Sequence, residues 1–564
     1  MHESSAFSQS SAGLLGFALL LPRPTAAAWP TDSLVNVPLC TATGDQLSPT
    51  IVSDGAGGAI VTWEDYRSGT SDIYAQRISA GGTVQWTATG VALCTATGAQ
   101  RYPTIVADGA HGAIVTWYDG RSGPDHVYAQ RISATGTVQW TANGVALCTA
   151  AGAQRYPTII SDDAGGAIVA WQDQRSGPDH IYAQRISAGG TVQWAATGVA
   201  LCSATGGQQL PTIVADGAGG AVVTWCDLRS GNNDIYAQRI SAGGTVQWAA
   251  TGVALCTATG DQYWPTITSD GAGGAIVTWC DLRSGNVDVY AQRISADGTV
   301  QWTVNGVALC TATGIQQLPT IVPDGAGGAI VTWEDSRSSS ADIYVQRISD
   351  GGAVQWTANG VALCTATGDQ VGPTITSDDA GGAIVTWQDQ RSGNADIYAQ
   401  RISAAGTVQW TANGRALCTA TGNQWYPTIA PDGAGGAIVT WQDQRGSSYD
   451  IYAQRVDRDG LLGGVVPTDV AGEAALAFAL DPMRPNPTRA GALMVSFTLA
   501  STAATSLELL DVAGRRIAAR EVGSLGAGRH TLDLGEGQRL APGLYLVCLR
   551  QGTNTRVTRV AVLK

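Results

Sequence analysis

The sequence predicts an all-β protein in which an eight-bladed β-propeller precedes a small β-sandwich. Three observations support this prediction: a 54-residue repeat occurs eight times, each repeat contains four short β-type segments, and the piece missing from the last repeat stands before the first. Repeats of about this length with four strands each are typical of propeller blades. The period stops near residue 460, and β-type segments without a period follow.

Marker residues keep the 54-residue period with no insertion between them. The periodic cysteines are Cys40, Cys94, Cys148, Cys202, Cys256, Cys310, Cys364 and Cys418. One tryptophan series is Trp63, Trp117, Trp171, Trp225, Trp279, Trp333, Trp387 and Trp441, and a second runs from Trp86 to Trp410. Such regularity indicates stacked copies of one supersecondary unit.

Each repeat reads as four strands bounded by turns that contain glycine. In the second repeat the predicted strands are Pro103–Asp108, Gly112–Asp119, His126–Ser133 and Thr137–Cys148, which are rich in Val, Ile, Thr, Tyr and Trp. The second segment carries the run AIVTW, which is apolar throughout instead of alternating. We therefore expect this strand to be buried on both faces.

The two ends of the repeat region complement each other. The last repeat lacks its fourth strand, and Gly464 stands where a tryptophan would fall. Residues Trp29–Cys40 form an orphan fourth strand before the first repeat. A ring in which this strand completes the last blade explains both defects and leaves no open edge. An open solenoid gives no reason for such a match.

The predicted organisation has four parts: a signal peptide over 1–28, the propeller over 29–460, a linker over 461–482 and the sandwich over 483–564. The apolar run Gly13–Leu21, followed by small residues, is typical of a secretory signal and is too short to span a bilayer. The residues before it contain no Lys or Arg, which is unusual for such a signal. We expect export.

Charge and composition exclude several classes of function. The 564 residues carry a formal net charge of −13, and the only lysine is Lys564. A nucleic-acid or anionic-membrane partner would require a clustered basic surface. The sequence predicts no cofactor and no transmembrane segment.

The repeats resemble TolB-like propeller repeats. The run from Pro49 to Ile78, PTIVSDGAGGAIVTWEDYRSGTSDIYAQRI, has their proline-led strand, Asp-Gly turn, D-x-R step and D-I-Y strand. The resemblance implies fold more than activity. The S-x-D-x-G-x-x-W box of sialidase-type propellers is not matched, because Trp63 lies at the wrong distance from Ser53-Asp54-Gly55.

The last part resembles FlgD-like immunoglobulin-type domains and the C-terminal sorting domains of type IX secretion. The matching motifs are Arg484-Pro485-Asn486-Pro487, DVAGRRI at Asp511–Ile517, GAGRH at Gly526–His530, Pro542-Gly543-Leu544-Tyr545 and Arg556–Lys564. The resemblance implies an immunoglobulin-like sandwich, secretion to the outer cell surface or the medium, and the secretion machinery as a partner. An ordinary accessory sandwich is the alternative.

Polar residues that recur in every repeat have a structural interpretation. Asp65, Arg67 and Arg77 recur eight times, whereas a catalytic site needs one constellation. We expect each arginine to pair with a neighbouring carboxylate, and Trp63 and Trp86 to be structural as well. The alternative is a ring of arginines that binds an anionic ligand.

Cysteine spacing predicts no metal site, since the periodic cysteines lack nearby histidines and the Asp-Gly turns lack the spaced oxygen ligands of a calcium loop. We expect the periodic cysteines to be small buried residues. Cys226 and Cys280 occupy equivalent positions in adjacent repeats, and a disulfide between them is left open.

Variable positions indicate one candidate recognition face. They precede the first strand and surround D-x-R, and both loops leave a four-stranded antiparallel sheet on the same side. The candidate ligand-binding residues are Tyr102, Tyr156, Tyr263, Trp264, Trp425, Tyr426, Tyr66 and Tyr118, which could stack on sugars or hold a peptide. Neutral drift of surface loops would leave the same pattern.

The sequence favours a non-catalytic role in binding, adhesion or scaffolding, with an extracellular glycan or protein as ligand. The alternative is an extracellular carbohydrate-active enzyme, either a glycosidase or a lyase. No catalytic residues are assigned, because Glu64 and Glu334, the only glutamates in the ring, are four repeats apart. Glycosidase carboxylates need a separation of roughly 5–9.5 Å.

Overall fold

The computed structural model describes residues 29–463, 479–480, 488–489, 493–499, 505–523, 528–534, 540–551 and 554–563. The chain forms two compact units that divide between Val466 and Pro467. The described residues contain β-strands and turns and no α-helix. The predicted signal peptide and most of the predicted linker lie outside the described residues, as does the Arg484–Pro487 motif.

The first unit consists of eight four-stranded antiparallel sheets, an arrangement consistent with propeller blades. The first strands are β2 (Gln46–Ser53), β6 (Gln100–Ala107), β10 (Gln154–Ser161), β14 (Gln208–Ala215), β18 (Gln262–Ser269), β22 (Gln316–Pro323), β26 (Gln370–Ser377) and β30 (Gln424–Pro431). The second strands are β3 (Ala59–Asp65), β7 (Ala113–Asp119), β11 (Ala167–Asp173), β15 (Ala221–Asp227), β19 (Ala275–Asp281), β23 (Ala329–Asp335), β27 (Ala383–Asp389) and β31 (Ala437–Asp443). The third strands are β4 (Asp72–Ile78), β8 (His126–Ile132), β12 (His180–Ile186), β16 (Asp234–Ile240), β20 (Asp288–Ile294), β24 (Asp342–Ile348), β28 (Asp396–Ile402) and β32 (Asp450–Val456). The fourth strands are β5 (Val91–Cys94), β9 (Val145–Ala146), β13 (Val199–Ala200), β17 (Val253–Cys256), β21 (Val307–Cys310), β25 (Val361–Cys364), β29 (Arg415–Cys418) and β1 (Val37–Cys40).

The second strands form the buried centre of each sheet. Every residue of β3, from Ala59 to Asp65, is buried, and the same holds for its seven equivalents. This confirms the prediction drawn from the AIVTW run. Trp63 and its equivalents are the largest of the fully buried side chains and pack between adjacent sheets.

The fourth strands are shorter than the sequence predicts. The second repeat has only Val145–Ala146 in place of Thr137–Cys148, and Trp140 lies before it in a bend. The first repeat shows why. A single bridge pairs Ile78 with Val84, and Gln76 Oε1 then accepts the Trp86 N–H at 3.0 Å, so a side chain replaces the strand partner. The chain turns at Gly90 (φ +85°), where a Cβ would lie 2.6 Å from the Trp63 ring.

The eighth sheet combines strands from both ends of the repeat region. β1 pairs antiparallel with β32, with Val37 opposite Ala453 and Pro38 opposite Tyr452. This is the pairing that the sequence predicts for the orphan strand. Trp29 Nε1 donates to Ala80 O at 2.9 Å, which matches the Trp86 Nε1 bond to Ala134 O at 3.1 Å one sheet later. Trp29 therefore serves as the eighth member of the second tryptophan series.

Successive sheets are joined along their first strands. A threonine hydroxyl in one first strand donates to a proline carbonyl in the next, as from Thr50 to Pro103 at 3.3 Å. The same contact joins the eighth sheet to the first, from Thr428 to Pro49 at 3.4 Å. The eighth sheet is thus a neighbour of the first.

The second unit contains two sheets. One has the order β33–β35–β38, formed by Ala479–Leu480, Met494–Leu499 and Gly528–Asp533. The other has the order β34–β40–β39–β36–β37, formed by Thr488–Arg489, Asn554–Leu563, Gly543–Gln551, Thr505–Asp511 and Arg516–Glu521. Phe497, Leu507, Leu509 and Val547 lie in their shared core. The sequence predicts the five strands Leu493–Leu499, Ser506–Val512, Thr531–Leu534, Gly543–Arg550 and Arg556–Leu563, which correspond to β35, β36, β38, β39 and β40. Strands β33, β34 and β37 are additional.

Candidate ligand-binding cavity

Each first strand contains a β-bulge at the residue before its proline. In the first sheet Leu47 pairs with Glu64 and Thr50 with Thr62, so Ser48 and Pro49 oppose Trp63 alone. Ser48 adopts a left-handed conformation with φ 53°. We call this residue and its equivalents the bulge residues: Ser48, Tyr102, Tyr156, Leu210, Trp264, Leu318, Gly372 and Tyr426, with φ between 50° and 63°. Seven of the eight are not glycine, so tertiary contacts must hold the conformation.

The contact that holds a bulge residue comes from the preceding sheet. Glu64 Oε1 accepts the Tyr102 N–H at 2.8 Å, and Glu334 Oε1 accepts the Gly372 N–H at 2.6 Å. Gln172 and Gln442 do the same for the next bulge residues, Leu210 and Ser48, at 2.9 and 3.1 Å. In these four sheets the residue between the buried tryptophan and the aspartate of the second strand therefore positions the neighbouring bulge.

The bulge residues surround a cavity of about 860 Å³, which we call the main cavity. All eight bulge residues and all eight following prolines line it, together with seven of the following threonines. Leu47, Gln388 and Gln442 complete the lining. No charged side chain lines the main cavity, and its walls are largely apolar.

Four of the eight predicted ligand-binding residues line the main cavity: Tyr102, Tyr156, Trp264 and Tyr426. These residues are 41 to 62% exposed, whereas most other residues of their first strands are partly or fully buried. Exposed aromatic rings held by a fixed backbone are well suited to contact a ligand.

The other four predicted residues do not line the main cavity. Tyr118 is buried behind it, stacked on Tyr102 with ring centroids 5.4 Å apart and edge-on to Tyr156 at 6.1 Å. Tyr263 packs edge-on against Trp264 at 4.8 Å. Tyr66 lies in the loop after β3, where its hydroxyl donates to Glu64 Oε2 at 3.2 Å. Trp425, the residue before Tyr426, is partly buried.

A second, smaller cavity of about 340 Å³ lies between the third and fourth sheets. It shares Tyr156 and Leu210 with the main cavity and adds the polar side chains of Gln172, Gln174 and Gln209. Arg155 and Asp179 also line this side cavity. Arg155 is paired with Asp125 at 2.5 Å.

Glu64 and Glu334 are the buried carboxyl groups nearest the bulges. Burial raises the pKa of the Glu64 carboxyl above its usual range, and the hydrogen bonds from Tyr102 N and the Tyr66 hydroxyl oppose that rise. Burial likewise raises the pKa of Glu334, against the bonds from Gly372 N and Gln317. Both groups are engaged in positioning backbone and do not line the main cavity.

The D-x-R arginines form ion pairs within their own sheets. Arg67 donates through Nε to Asp65 Oδ1 at 2.7 Å and through a terminal nitrogen to Asp65 Oδ2 at 2.6 Å. Trp63 Nε1 donates to the same Asp65 Oδ2 at 2.8 Å, and the Arg67 guanidinium lies 4.0 Å from the centre of the Tyr74 ring. All eight sheets repeat this ion pair and this cation–π contact.

Arg77 and its equivalents join a turn to the next sheet. Arg77 binds Asp54 Oδ2 through Nε at 2.9 Å and a terminal nitrogen at 2.7 Å, while its other terminal nitrogen donates to Ala134 O at 3.0 Å. Asp54 Oδ1 accepts the N–H groups of its own turn, from Ala56 at 2.8 Å and Gly58 at 2.9 Å. Both carboxylate oxygens of Asp54 are therefore hydrogen-bonded, and the role of Arg77 is structural.

All eleven cysteines are free thiols and buried. The periodic cysteines also contact charged groups, as Arg67 donates to Cys40 Sγ at 3.2 Å. Burial raises the pKa of Cys40 to about 11 and the pKa of both Cys226 and Cys280 to about 12, so these groups remain thiols at neutral pH. Among the described residues, no cluster of three or more His, Cys, Asp or Glu side chains could hold a metal ion.

The left-handed backbone of the bulge was the part of the site that the sequence did not predict. The predicted first strand of the second repeat begins at Pro103, so Tyr102 lies outside it, and the preference of proline for extended backbone before it gives no sign of a left-handed residue. The available signal was the change from aromatic to small residues at one position, with Ser48 and Gly372 among large side chains.

Comparison with known families identifies the C-terminal segment. The family model described as a secretion system C-terminal sorting domain matches residues 483–563. No curated protein matches the chain. Among the described residues, no helix has the length and apolar character needed to cross a membrane.

Solved structures similar to the chain include an ulvan lyase of a polysaccharide lyase family (10% identity, 75% of this chain and 96% of the lyase, TM-score 0.42). Another is a eukaryotic initiation factor (10% identity, 76% of this chain and 89% of the factor, TM-score 0.41). A third is an endo-arabinase from Bacteroides thetaiotaomicron VPI-5482 (13% identity, 43% of this chain and 92% of the arabinase, TM-score 0.27). Similarities this low carry no argument about function. The sorting domain shows instead that the protein uses type IX secretion and reaches the cell surface or the extracellular space.

Proposed function

We propose that the protein is a secreted, non-catalytic binding protein whose eight sheets form a closed eight-bladed propeller with the ligand held in the main cavity. The observation that carries this proposal is the lining of that cavity. It combines equivalent residues from all eight sheets with exposed aromatic rings from four of them. The sheet completed by β1 and the Thr428–Pro49 hydrogen bond support closure.

The finer family assignments belong to the same proposal. We assign residues 29–460 to a TolB-like propeller and residues 483–564 to a FlgD-like immunoglobulin-type domain, with 461–482 as linker and 1–28 as signal peptide. The two sheets and single core of the second unit support a sandwich. In this proposal it engages the secretion machinery, while the first unit binds an extracellular glycan or protein.

The contents of the main cavity support a non-catalytic role. Its lining holds no carboxylate, histidine or cysteine. The raised pKa of Glu64 and Glu334 would suit a general acid, which is the observation in favour of a carbohydrate-active enzyme. Each of these carboxylates already binds a backbone N–H and a second donor, and four sheets separate them.

The test is a screen of the secreted protein against a glycan array and a peptide library. The comparison variant replaces Tyr102, Tyr156, Trp264 and Tyr426 with alanine. We expect saturable binding without turnover, and its loss in the variant. The control replaces Tyr449 with alanine, since this partly exposed aromatic residue lies outside the lining of the main cavity. Ligand turnover that persists in the aromatic variant would support the enzyme alternative instead.

A further inference from the structure

The wall of the main cavity has a gap at the seventh and first sheets. The bulge residue is Gly372 in the seventh sheet and Ser48 in the first, whereas the other six sheets place a tyrosine, tryptophan or leucine there. The eighth sheet, between them, carries Tyr426. The two small residues leave room for side chains from the second strands to reach the cavity.

Two glutamine amides occupy this gap. Gln388 and Gln442 are the only second-strand residues that line the main cavity in the part of the chain that the structure describes. A Cβ added to Gly372 would lie 2.6 Å from Gln388 Nε2, so the Gln388 side chain fills the space that a larger bulge residue would take. Gln442 Oε1 instead accepts the Ser48 N–H at 3.1 Å.

The Gln388 amide has an unused hydrogen-bonding atom. Gln388 is only 4% exposed, and its Oε1 has no partner within the described structure. Its equivalents Glu64, Gln172, Glu334 and Gln442 each accept a backbone N–H from the next sheet. A buried amide oxygen without a partner is costly, so turning the Gln388 amide to bring this oxygen to a ligand hydroxyl in the cavity is favourable.

Aromatic rings stand across the cavity from this gap. In a ring of eight, sheets four apart face each other, so Gly372 faces Tyr156 and Ser48 faces Trp264. One side of the cavity thus offers amide groups and the other offers flat apolar rings. A sugar ring presents hydroxyls at its edge and an apolar face of C–H groups, which matches both sides.

Charge decides between classes of glycan. No charged side chain lines the main cavity, and the eight D-x-R arginines are paired with buried aspartates. The nearest carboxylate at the gap is Glu334, which binds Gly372 N. A carboxylate or sulfate on a ligand would find no cation there and would lie near this negative charge.

We infer that the main cavity binds an uncharged oligosaccharide, with Gln388 as the polar contact at the Gly372 gap and Tyr156 and Trp264 as stacking platforms. This inference rests on the proposed function, since it names the ligand class of the same cavity. The Gln388 amide carries a donor, Nε2, at the Gly372 gap and an acceptor, Oε1, so once turned toward the cavity it can pair with two neighbouring hydroxyls of one sugar.

The experiment measures binding of neutral arabino-, xylo- and manno-oligosaccharides by calorimetry, with oligogalacturonate and a sulfated oligosaccharide as charged probes. We expect at least one neutral probe to bind and both charged probes to bind at least tenfold more weakly. Gly372→Tyr copies the second, third and eighth sheets and should weaken neutral binding at least tenfold by closing the gap. Gln388→Cys copies the fourth and fifth sheets and should weaken it by a similar factor.

The control is Gln390→Leu, a change in the same sheet at a residue that does not line the main cavity; it copies Leu228 and Leu282 of the fourth and fifth sheets and should leave binding unchanged. Tighter binding of a charged probe, no binding of any neutral probe, or neutral binding unaffected by both variants would overturn the inference. If some other ligand is lost only in the Tyr102, Tyr156, Trp264 and Tyr426 alanine variant, the proposed function stands without the inference. If that variant loses no ligand, the proposed function fails as well.

Discussion

At the residue scale, the aspartates and arginines that recur in every repeat bind one another within the structure. The aspartate of each D-x-R step is fully buried and binds an arginine and a tryptophan, and the aspartate of each hairpin turn binds an arginine and two backbone N–H groups. Because these groups are engaged within the structure, the proposed recognition depends on the aromatic bulge residues and on the amides of Gln388 and Gln442.

Arg67→Met tests the cost of breaking one of these buried pairs. The change leaves Asp65, which is fully buried, without its cation, so we expect unfolding free energy to fall by about 3 kcal/mol. Denaturant unfolding of the purified protein measures it. Arg155→Met is the control, since the Arg155–Asp125 pair is far more exposed and should contribute less than about 1 kcal/mol. Equal losses in the two variants would contradict this account.

Asp450 introduces a dependence of stability on pH. Burial raises the pKa of Asp450 to about 6, with the Asp443 charge adding to the rise. A raised carboxyl pKa means that its contribution to stability is complete below the unfolded value near 3.8 and is lost as pH rises toward 6. Equivalent aspartates accept a serine hydroxyl, as Asp396 does from Ser392 at 2.7 Å, but the eighth sheet has Gly446 at that position.

Gly446→Ser should therefore stabilise the protein at pH 7 by about 1 kcal/mol and flatten its stability between pH 4 and 6, because the hydroxyl stabilises the ionised carboxylate. A Cβ at Gly446 would lie 3.9 Å from Asp450 Oδ2, so the site accepts serine. Unfolding free energy at pH 4, 5, 6 and 7 measures the effect. Ser392→Gly is the reciprocal control and should destabilise the protein at pH 7 but not at pH 4; unchanged profiles in both variants would be the contrary result.

At the scale of the element, the β-bulge of the first strand depends on the sheet before it. The second-strand side chain that accepts the bulge N–H is Glu64, Gln172, Glu334 or Gln442 in four sheets, so acid and amide are interchangeable there. A carboxylate in this buried place has a raised pKa, whereas an amide has no charge to bury.

Glu64→Gln should preserve the bulge at Tyr102 and change unfolding free energy by less than about 1 kcal/mol at pH 7. Glu64→Ala leaves the Tyr102 N–H without its acceptor and should cost about 1–3 kcal/mol. Thermal and denaturant unfolding compare the two variants. A loss in Glu64→Gln as large as that in Glu64→Ala would show that charge, and not hydrogen bonding, matters at this position.

Most of the fold of the first unit could be predicted from the 54-residue period of the sequence. Exact spacing of Trp63 and Cys40 with their equivalents predicts the repeated sheets, and the AIVTW run predicts the buried second strand. The predicted fourth strand is too long, because the Gln76 side chain and not a strand backbone accepts the Trp86 N–H. No pattern in the sequence indicates that a side chain takes this role. The sequence predicts a face of variable loops and not a cavity, because which of the neighbours Tyr263 and Trp264 lines the cavity depends on the left-handed bulge.

At the scale of the whole molecule, the segment 29–40 joins the two ends of the repeat region. It supplies strand β1, the Trp29 contact to Ala80, and Asn36, whose Oδ1 accepts from Arg445 at 2.8 Å. In the first sheet the last of these roles falls to Thr89 O, which accepts from Arg67 at 2.7 Å. Asn36 and Arg445 are 409 positions apart in sequence, and the pairing of β1 with β32 spans a similar distance, so the last sheet of the first unit depends on the segment 29–40.

A chain that begins at residue 41 should melt several degrees below the full chain. The reason is that β32 loses its pairing with β1, and Arg445 loses the Asn36 acceptor. Adding a peptide of residues 29–40 should raise the melting temperature in proportion to the logarithm of its concentration. A peptide of the same composition in scrambled order is the control. Equal melting temperatures for the truncated and full chains would show that the segment is not needed.

Hydrogen exchange of the intact protein tests ring closure, on which the cavity depends. The backbone amides of β32, Asp450–Val456, pair with β1 in the eighth sheet, and those of β28, Asp396–Ile402, pair with β29 in the seventh. A closed ring predicts that the two strands exchange at similar, slow rates. Exchange of Asp450–Val456 at the rate of an unpaired edge strand, with Asp396–Ile402 protected, would contradict closure and the cavity with it.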